Sequence, residues 1–243
     1  MSSKIIILCI CIILIRSVGA CAQDNEALWE KEISVGYNQA TGNTQNNQLL
    51  AAFDASRKKE SDEWTLKADT FYSEQNKKMD GQKHAGSVRY AFSFWEKKWY
   101  NFYKFAAGHD KFAKIDYRII PSCGVGYWFS DTPNLKAMIE AGIGLEHTDY
   151  TDSTKRRTDT IGLPRVFLEK KMFDRAALSQ DLVLFLDLEQ GDEYRLRAET
   201  RFTNPLSDKM SLRVSFIDEF DSDPAGDTKK NDTQTMLSLV YSL

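Results

Sequence analysis

Charged side chains alternate strictly with apolar or neutral ones through residues 194–203. Successive side chains of an extended strand point to opposite faces, whereas a helix would scatter both sets around its circumference. One face would carry Tyr194, Leu196, Ala198, Thr200 and Phe202. The other would carry Arg195, Arg197, Glu199 and Arg201. The stretch therefore predicts a β-strand with one face apolar enough to contact lipid and one densely charged face. A strand of a soluble sheet with one buried face fits the same pattern.

The same two-residue period recurs along most of the chain and divides it into about twelve strands. Most are roughly 9–11 residues long, the length that a tilted strand needs to cross a bilayer. The predicted strands span residues 28–38, 48–57, 64–73, 87–95, 99–107, 115–129, 135–146, 160–172, 178–189, 194–203, 210–217 and 233–243.

The links between these strands alternate in length, and this alternation distinguishes a membrane barrel from a soluble sandwich. Short links at 58–63, 96–98, 130–134, 173–177 and 204–209 alternate with links at 39–47, 74–86, 108–114, 148–159, 190–193 and 218–232. The second set is mostly long and polar; only 190–193 breaks the rule. Short turns at one end and longer loops at the other are typical of outer-membrane barrels. The pattern predicts an all-β fold, an antiparallel up-and-down transmembrane β-barrel of about twelve strands.

Three of the predicted strands are irregular. The strand at 115–129 is long, and Pro121, Gly124 and Gly126 predict a bend or bulge in it. The strand at 160–172 contains Pro164, and Val183 with Phe185 interrupts the polar face of the strand at 178–189. The strand at 99–107 is aromatic on both faces and has no predicted orientation. We expect the glycines at 124, 126, 142 and 144 to ease close packing rather than to cradle a phosphate.

The N-terminus has the layout of a secretory signal. An apolar run at 5–15 follows Lys4 and precedes Ala20-Cys21-Ala22, which predicts a signal peptide at 1–22 and a single barrel domain at 23–243. Lipid modification of Cys21 is the alternative. Cleavage leaves Cys123 as the remaining cysteine and, by removing Lys4 and Arg16, takes the formal charge from −3 to −5. That acidic balance argues against nucleic-acid binding.

Several short motifs, weak singly, occur in a specific order over nearly all of the predicted mature chain: Trp29, Gly36-Tyr37, Gly42-Asn43-Thr44, Trp99-Tyr100, Asp116-Tyr117-Arg118, Gly124-Val125-Gly126-Tyr127, Asp221, Pro224, Lys229-Lys230-Asn231-Asp232 and Leu239-Val240-Tyr241. With them the chain resembles the YdiY-like family, domain-of-unknown-function family 481, described as salt-induced outer-membrane proteins. The resemblance implies a barrel but no substrate or catalytic residue. Pro121-Ser122-Cys123-Gly124 and the terminal Leu243 depart from the family pattern.

Charged residues on the predicted inner face are the first candidate site. They are Arg118, Lys136, Glu140, Asp187, Arg195, Arg197, Glu199, Arg201 and Arg213. They could form a charged constriction that selects small polar or anionic solutes. They could equally pair with one another and fill the lumen, since twelve strands lie between filled eight-strand barrels and open porins.

Aromatic residues near the predicted strand ends are the second candidate set. They are Trp29, Trp64, Trp99, Tyr72, Tyr90, Tyr127 and Tyr241. Outer-membrane barrels carry aromatic girdles at both membrane interfaces, so we expect these residues to contact the interfaces rather than to serve as ordinary core aromatics.

Catalytic and metal sites have little support. His84, His109 and His147 fall in or beside predicted outer loops, and only His147 with Ser153 could serve a lipase-type mechanism. Loop aspartates (149, 152, 159, 218, 221, 223 and 227) are expected to be solvated rather than to bind cations. No catalytic residue, metal or cofactor is predicted.

The sequence therefore predicts a structural or narrow-pore protein of a Gram-negative-type outer membrane. Its expected partners are outer-membrane lipid, the barrel-assembly machinery during biogenesis, and small polar or ionic solutes, with no nucleic acid. The alternatives are a soluble exported β-sheet binding protein and an outer-membrane hydrolase.

Overall fold

The computed structural model describes residues 29–40, 46–76, 78–111, 113–151, 156–173, 175–224 and 229–243. The predicted signal peptide with Cys21 lies outside the described residues, as does Leu28 at the start of the first predicted strand. In the described ranges, no helix is long and apolar enough to cross a membrane.

Strands make up almost all of the described chain. They are β1 (Glu30–Ala40), β2 (Asn46–Lys58), β3 (Asp62–Gln75), β4 (Lys78–Phe94), β5 (Trp99–Asp110), β6 (Ile115–Asp131), β7 (Leu135–Tyr150), β8 (Arg156–Gly162), β9 (Arg165–Met172), β10 (Ala176–Asp187), β11 (Tyr194–Pro205), β12 (Met210–Asp221) and β13 (Asn231–Ser242).

Neighbouring strands pair antiparallel, and the sheet closes on itself. The first and last strands pair from Glu32↔Ser242 to Gly36↔Ser238. Segments β8 and β9 together fill one position between β7 and β10, so the wall of the described chain is twelve strands around. The predicted all-β barrel of about twelve strands is confirmed.

The strand predicted at 160–172 is broken in the structure at Leu163 and Pro164. Proline has no backbone N–H, so it removes one donor from the ladder. Leu163 still donates to the Gly142 carbonyl at 2.8 Å, and the Pro164 carbonyl accepts from the Leu184 amide at 3.0 Å. These contacts hold β8 and β9 in line within one wall position.

The predicted polar loop at 74–86 is wrong. Strand β3 continues to Gln75 and β4 starts at Lys78, with a turn at Asn76, which has a positive φ of 50°. Polar side chains are compatible with strands here because they contact polar side chains of the neighbouring strand. Thr70 on β3, for example, contacts His84 on β4. The links predicted at 39–47, 108–114, 148–159 and 218–232 are also shorter than predicted, whereas the link predicted at 190–193 is longer and spans 188–193. The difference between the two ends of the barrel is therefore smaller than predicted.

The irregularities of β6 lie at its ends and not at Pro121, Gly124 or Gly126. Register shifts occur between Ile115 and Tyr117 and between Trp128 and Ser130. The glycines have another role, because a β-carbon at position 126 would overlap the Tyr100 ring, and one at 124 the Phe102 ring. The expectation that these glycines ease close packing is confirmed.

Burial in this barrel is the reverse of that in a soluble domain. Large apolar side chains such as Ile143 (50% exposed), Leu145 (53%) and Leu237 (51%) point outward, whereas Glu140, Glu146 and Glu199 are 5–7% exposed. Soluble proteins almost never bury carboxylates unless they are paired, and rarely expose continuous apolar surface. The outer face is therefore apolar and the charges lie inside.

The charged lumen as candidate functional site

The register of β10 and β11 places the alternating charges of 194–203 inside the barrel. Arg195, Arg197 and Arg201 lie opposite Phe185, Val183 and Ser179. Val183 and Phe185, which interrupt the polar pattern in sequence, therefore line the lumen with the charges. The Arg195 guanidinium lies 4.8 Å from the Phe185 ring centroid, a cation–π contact.

Glu140 on β7 is the centre of the first ion-pair network. Its carboxylate accepts hydrogen bonds from Arg89 at 2.5 Å, Arg165 at 3.2 Å and the Tyr100 hydroxyl at 2.8 Å. Arg165 also forms a bidentate pair with Asp181, with both N–O distances 2.8 Å. Buried charges are tolerated only when paired and hydrogen-bonded in this way.

Glu146, six residues further along β7 on the same face, is the centre of the second network. It pairs with Arg118 at 3.0 Å and also with Arg195. Arg118 in addition donates to the Thr148 hydroxyl at 3.1 Å. Since β7 and β11 are separated by two wall positions, this network links distant parts of the wall.

A third network joins strands on nearly opposite sides of the barrel. Glu199 accepts from Arg197 at 2.8 Å and from Arg201, and Arg197 reaches Glu219 at 3.0 Å. Glu219 also lies 2.5 Å from Lys83. Strands β4 and β12 stand five positions apart in a wall of twelve, so this contact crosses the lumen.

The remaining predicted lumen residues lie nearer the ends. Lys136 pairs with Glu169 at 3.1 Å, and Arg213 pairs with Glu32 at 2.9 Å. Asp187 pairs with Arg157 and accepts the amides of 189 and 190 at the start of the link to β11. All nine predicted lumen charges thus face inward, and each has an oppositely charged partner; their part in function is a proposal.

Apolar side chains narrow the lumen toward the short-turn end. Ala91, Tyr100, Phe102 and Met138 form a buried cluster on the inner face, with Trp128 and Phe167 packed against it. Beside it lies a small cavity of about 60 Å³, near the Lys58–Asp131 ion pair. The lumen is therefore partly filled at that end.

Sequence reasoning did not select several lumenal charges: Lys67, Lys83, Arg89, Lys104, Glu146, Arg165 and Glu219. Lys83 and Glu219 fell in stretches interpreted as loops, and Arg165 in the ambiguous strand at 160–172. Lys104 lay on the strand whose orientation was undetermined. The alternation of apolar and polar residues in their strands could have identified Arg89 and Glu146 as lumenal.

The predicted interface aromatics gather at one end of the barrel. Trp29, Trp64, Tyr90, Trp99, Tyr127 and Tyr241 lie at the short-turn end of their strands, and Tyr72 lies at the opposite end. The Trp64–Tyr90 and Trp99–Tyr127 ring pairs are both 4.9 Å between centroids. Contact of these rings with a membrane interface stays a prediction.

The histidines occupy strands on the outer face rather than loops. His84 and His109 stack with centroids 6.0 Å apart, and His84 contacts Thr70 at 2.7 Å. They border an apolar groove of about 590 Å³ on the outer wall. His147 contacts the Thr158 hydroxyl at 2.7 Å, and Ser153 lies outside the described residues, so the hydrolase pair is untested.

The predicted acidic loops are only partly described, because Asp152 and Asp227 lie outside the described residues. Asp149 pairs with Arg156 at 3.0 Å, and Asp159 with Arg157 at 2.6 Å. Within the described ranges, no group of three or more His, Cys, Asp or Glu residues is placed to hold a metal ion.

Comparisons with known proteins agree with the barrel. The model of a family described as "Protein of unknown function, DUF481" matches residues 33–243. The NanC porin has a similar fold, with a TM-score of 0.50 and 10% identity, over 87% of this chain and 97% of that one. No curated protein matches the chain.

Two further solved barrels are similar at lower scores. The translocator domain of the autotransporter NalP from Neisseria meningitidis has a TM-score of 0.48 and 11% identity, covering 90% of this chain and 89% of that one. The outer membrane channel DcaP of Acinetobacter baumannii has a TM-score of 0.45 and 8% identity, covering 88% and 95%. At these identities the similarities concern the fold alone.

Proposed function

Because the chain belongs to the family of unknown function DUF481 over residues 33–243, and because it folds as a closed barrel, we propose that it is an outer-membrane protein forming a narrow, charge-lined pore. Small polar or ionic solutes are its proposed cargo. The apolar outer wall, with Ile143, Leu145 and Leu237 half exposed, supports contact with outer-membrane lipid. Kinship with the YdiY-like members and insertion by the barrel-assembly machinery belong to the same proposal.

The exposure of inward-facing charges carries the pore proposal. The side chains of Lys67, Arg197 and Arg201 are 45%, 36% and 34% exposed although they point into the barrel. An inner-face side chain can be exposed only to space within the lumen. This solvent-accessible space around the charged groups supports a water-filled lumen over a filled barrel.

The ion pairs across the lumen support a narrow pore rather than a wide one. Contacts such as Lys83–Glu219 and Arg89–Glu140 divide the interior, so only small solutes fit between them. Charged groups lining such a constriction set selectivity by sign.

Single-channel recording in planar bilayers tests the proposal. We expect small, discrete conductance steps from the refolded native chain and none from protein left unfolded in urea. If the native barrel inserts into the bilayer but does not conduct, the pore is rejected and the structural role is supported. Recovery of the chain in the soluble periplasmic fraction would instead favour the soluble binding protein.

A further inference from the structure

We propose that Lys67 on β3 and Lys104 on β5 form an anion-binding subsite inside the lumen. Its ligands would be small anions with a phosphate or carboxylate group. The inference rests on the proposed pore function, because it names the class of solute that the pore would favour. Each lysine lies near the middle of its strand, away from both rims.

The strand register brings the two lysines to the same part of the wall. Lys67 lies opposite Ser87 on β4, and Lys104 lies opposite Arg89 on the same strand. From strand spacing and rise, their Cα atoms are roughly 12 Å apart, so two extended lysine side chains can reach one small ion between them. The Ser87 side chain lies between them on the inner face and can donate a hydrogen bond.

The electrostatic surroundings of Lys104 are predominantly positive. Lys104 interacts with Arg165, Lys67 and Arg89, and with one anion, Glu140. That carboxylate already accepts hydrogen bonds from both of these arginines and from Tyr100. It therefore has little capacity left to neutralise Lys104.

The two lysines differ in their ion pairs. Lys67 forms one long pair, with Asp54 at 3.7 Å, and interacts with the cations Arg201 and Arg165 and with the anion Glu199. Lys104 forms no ion pair with any residue that the structure describes. By contrast, Lys136 in the same lumen is paired with Glu169 at 3.1 Å.

Exposure completes the argument for a ligand site. Lys67 is 45% exposed and Lys104 is also exposed, although both face inward. An uncompensated cation such as Lys104 is costly in a confined space, and a diffusible anion held between it and Lys67 lowers that cost. Lysine binds phosphate as a point charge through up to three hydrogen bonds. The two ammonium groups therefore suit a small oxyanion that exchanges with water.

Reversal potentials in a tenfold potassium chloride gradient provide the first test. We expect the native pore to prefer chloride, and Lys67→Gln and Lys104→Gln each to lower the chloride-to-potassium permeability ratio by about threefold. The matched control is Lys136→Gln, which removes the same charge from the lumen near its short-turn end and should change the ratio much less. A conducting pore whose ratio is the same in all four proteins would overturn the subsite and leave the pore function intact.

Phosphate binding provides a second test that does not depend on conduction. Equilibrium dialysis of the detergent-purified barrel against radiolabelled inorganic phosphate should show saturable binding that is lost in Lys67→Gln/Lys104→Gln and retained in Lys136→Gln. Binding of this kind in a non-conducting barrel would support the subsite while rejecting the pore. Equal phosphate binding, or none, in all three proteins would reject the subsite.

Discussion

The Lys83 ammonium lies 2.5 Å from the Glu219 carboxylate, and this contact joins strands on nearly opposite sides of the barrel. Arg197 approaches the same carboxylate at 3.0 Å from β11. Because Glu219 is shared by two cations from different strands, its removal would take one carboxylate partner from each, leaving Arg197 with Glu199 and Lys83 with Asp110 at 3.6 Å. The Lys83–Glu219 pair crosses the lumen at its level.

Breaking the Lys83–Glu219 pair should widen the pore. We expect Lys83→Ala to raise single-channel conductance about twofold, because the side chain that crosses the lumen is removed and the local charge changes. The control Lys83→Arg keeps a long cationic side chain across the lumen and should leave conductance near the native value. Conductance unchanged in Lys83→Ala would show that the narrowest point lies elsewhere.

Removing the carboxylate at Glu140 should destabilise the barrel. Glu140→Gln leaves Arg89 and Arg165 without their shared counter-charge in a site where the carboxylate is 4% exposed. Loss of one partner of a buried pair costs about 3 kcal/mol. Urea unfolding in lipid vesicles, followed by tryptophan fluorescence, measures the change.

The control for Glu140 is Glu96, whose side chain is 84% exposed and 3.9 Å from Lys98. Glu96→Gln should alter the free energy of unfolding by less than about 0.5 kcal/mol. Equal effects at both positions would mean that the network at Glu140 contributes no specific stability.

The contact between Gly126 and Tyr100 should tolerate no added side chain. A β-carbon at 126 would overlap the ring, so we expect Gly126→Ala to impair folding, seen as loss of the heat-modifiable band in gel electrophoresis. Gly191→Ala is the control, because nothing lies within 4 Å of the added atom.

Tyr100→Ala combined with Gly126→Ala should recover part of the folded band, since the clash is then removed. Tyr100→Phe should recover none, because the ring stays. Equal recovery by both would place the cause of the defect in the Tyr100 hydroxyl, which donates to Glu140, and not in the ring.

Spin labels distinguish the two faces of the wall directly. In a Cys123→Ser background, labels at Ile139, Leu184 and Ala198 should be accessible to lipid-soluble quenchers in reconstituted vesicles. A label at Ser179, which lies opposite Arg201 on the inner face, should be shielded from them. Shielding of the three outer positions would contradict a lipid-facing wall.

The strictly alternating strands were predictable because a two-residue period alone fixes their faces. For β11 and β7, this was enough to place Arg197, Glu199 and Glu140 in the lumen. The cross-lumen contact was not predictable, because Lys83 and Glu219 are 136 residues apart and both lay in polar stretches interpreted as loops. In soluble β-proteins a polar stretch usually indicates a loop. In this barrel polar side chains also occupy the inner face of the strands.

The pairing of the first strand with the last determines where this wall is weakest. A closed cylinder has no free edge, so it can open only where adjacent strands share the fewest hydrogen bonds. In the described chain, β1 and β13 pair over five positions, Glu32–Gly36, whereas β9 alone pairs with β10 over eight, Arg165–Met172, despite the break at Pro164. Amide exchange should begin between β1 and β13, and lateral strain on the cylinder should separate these two strands before any others.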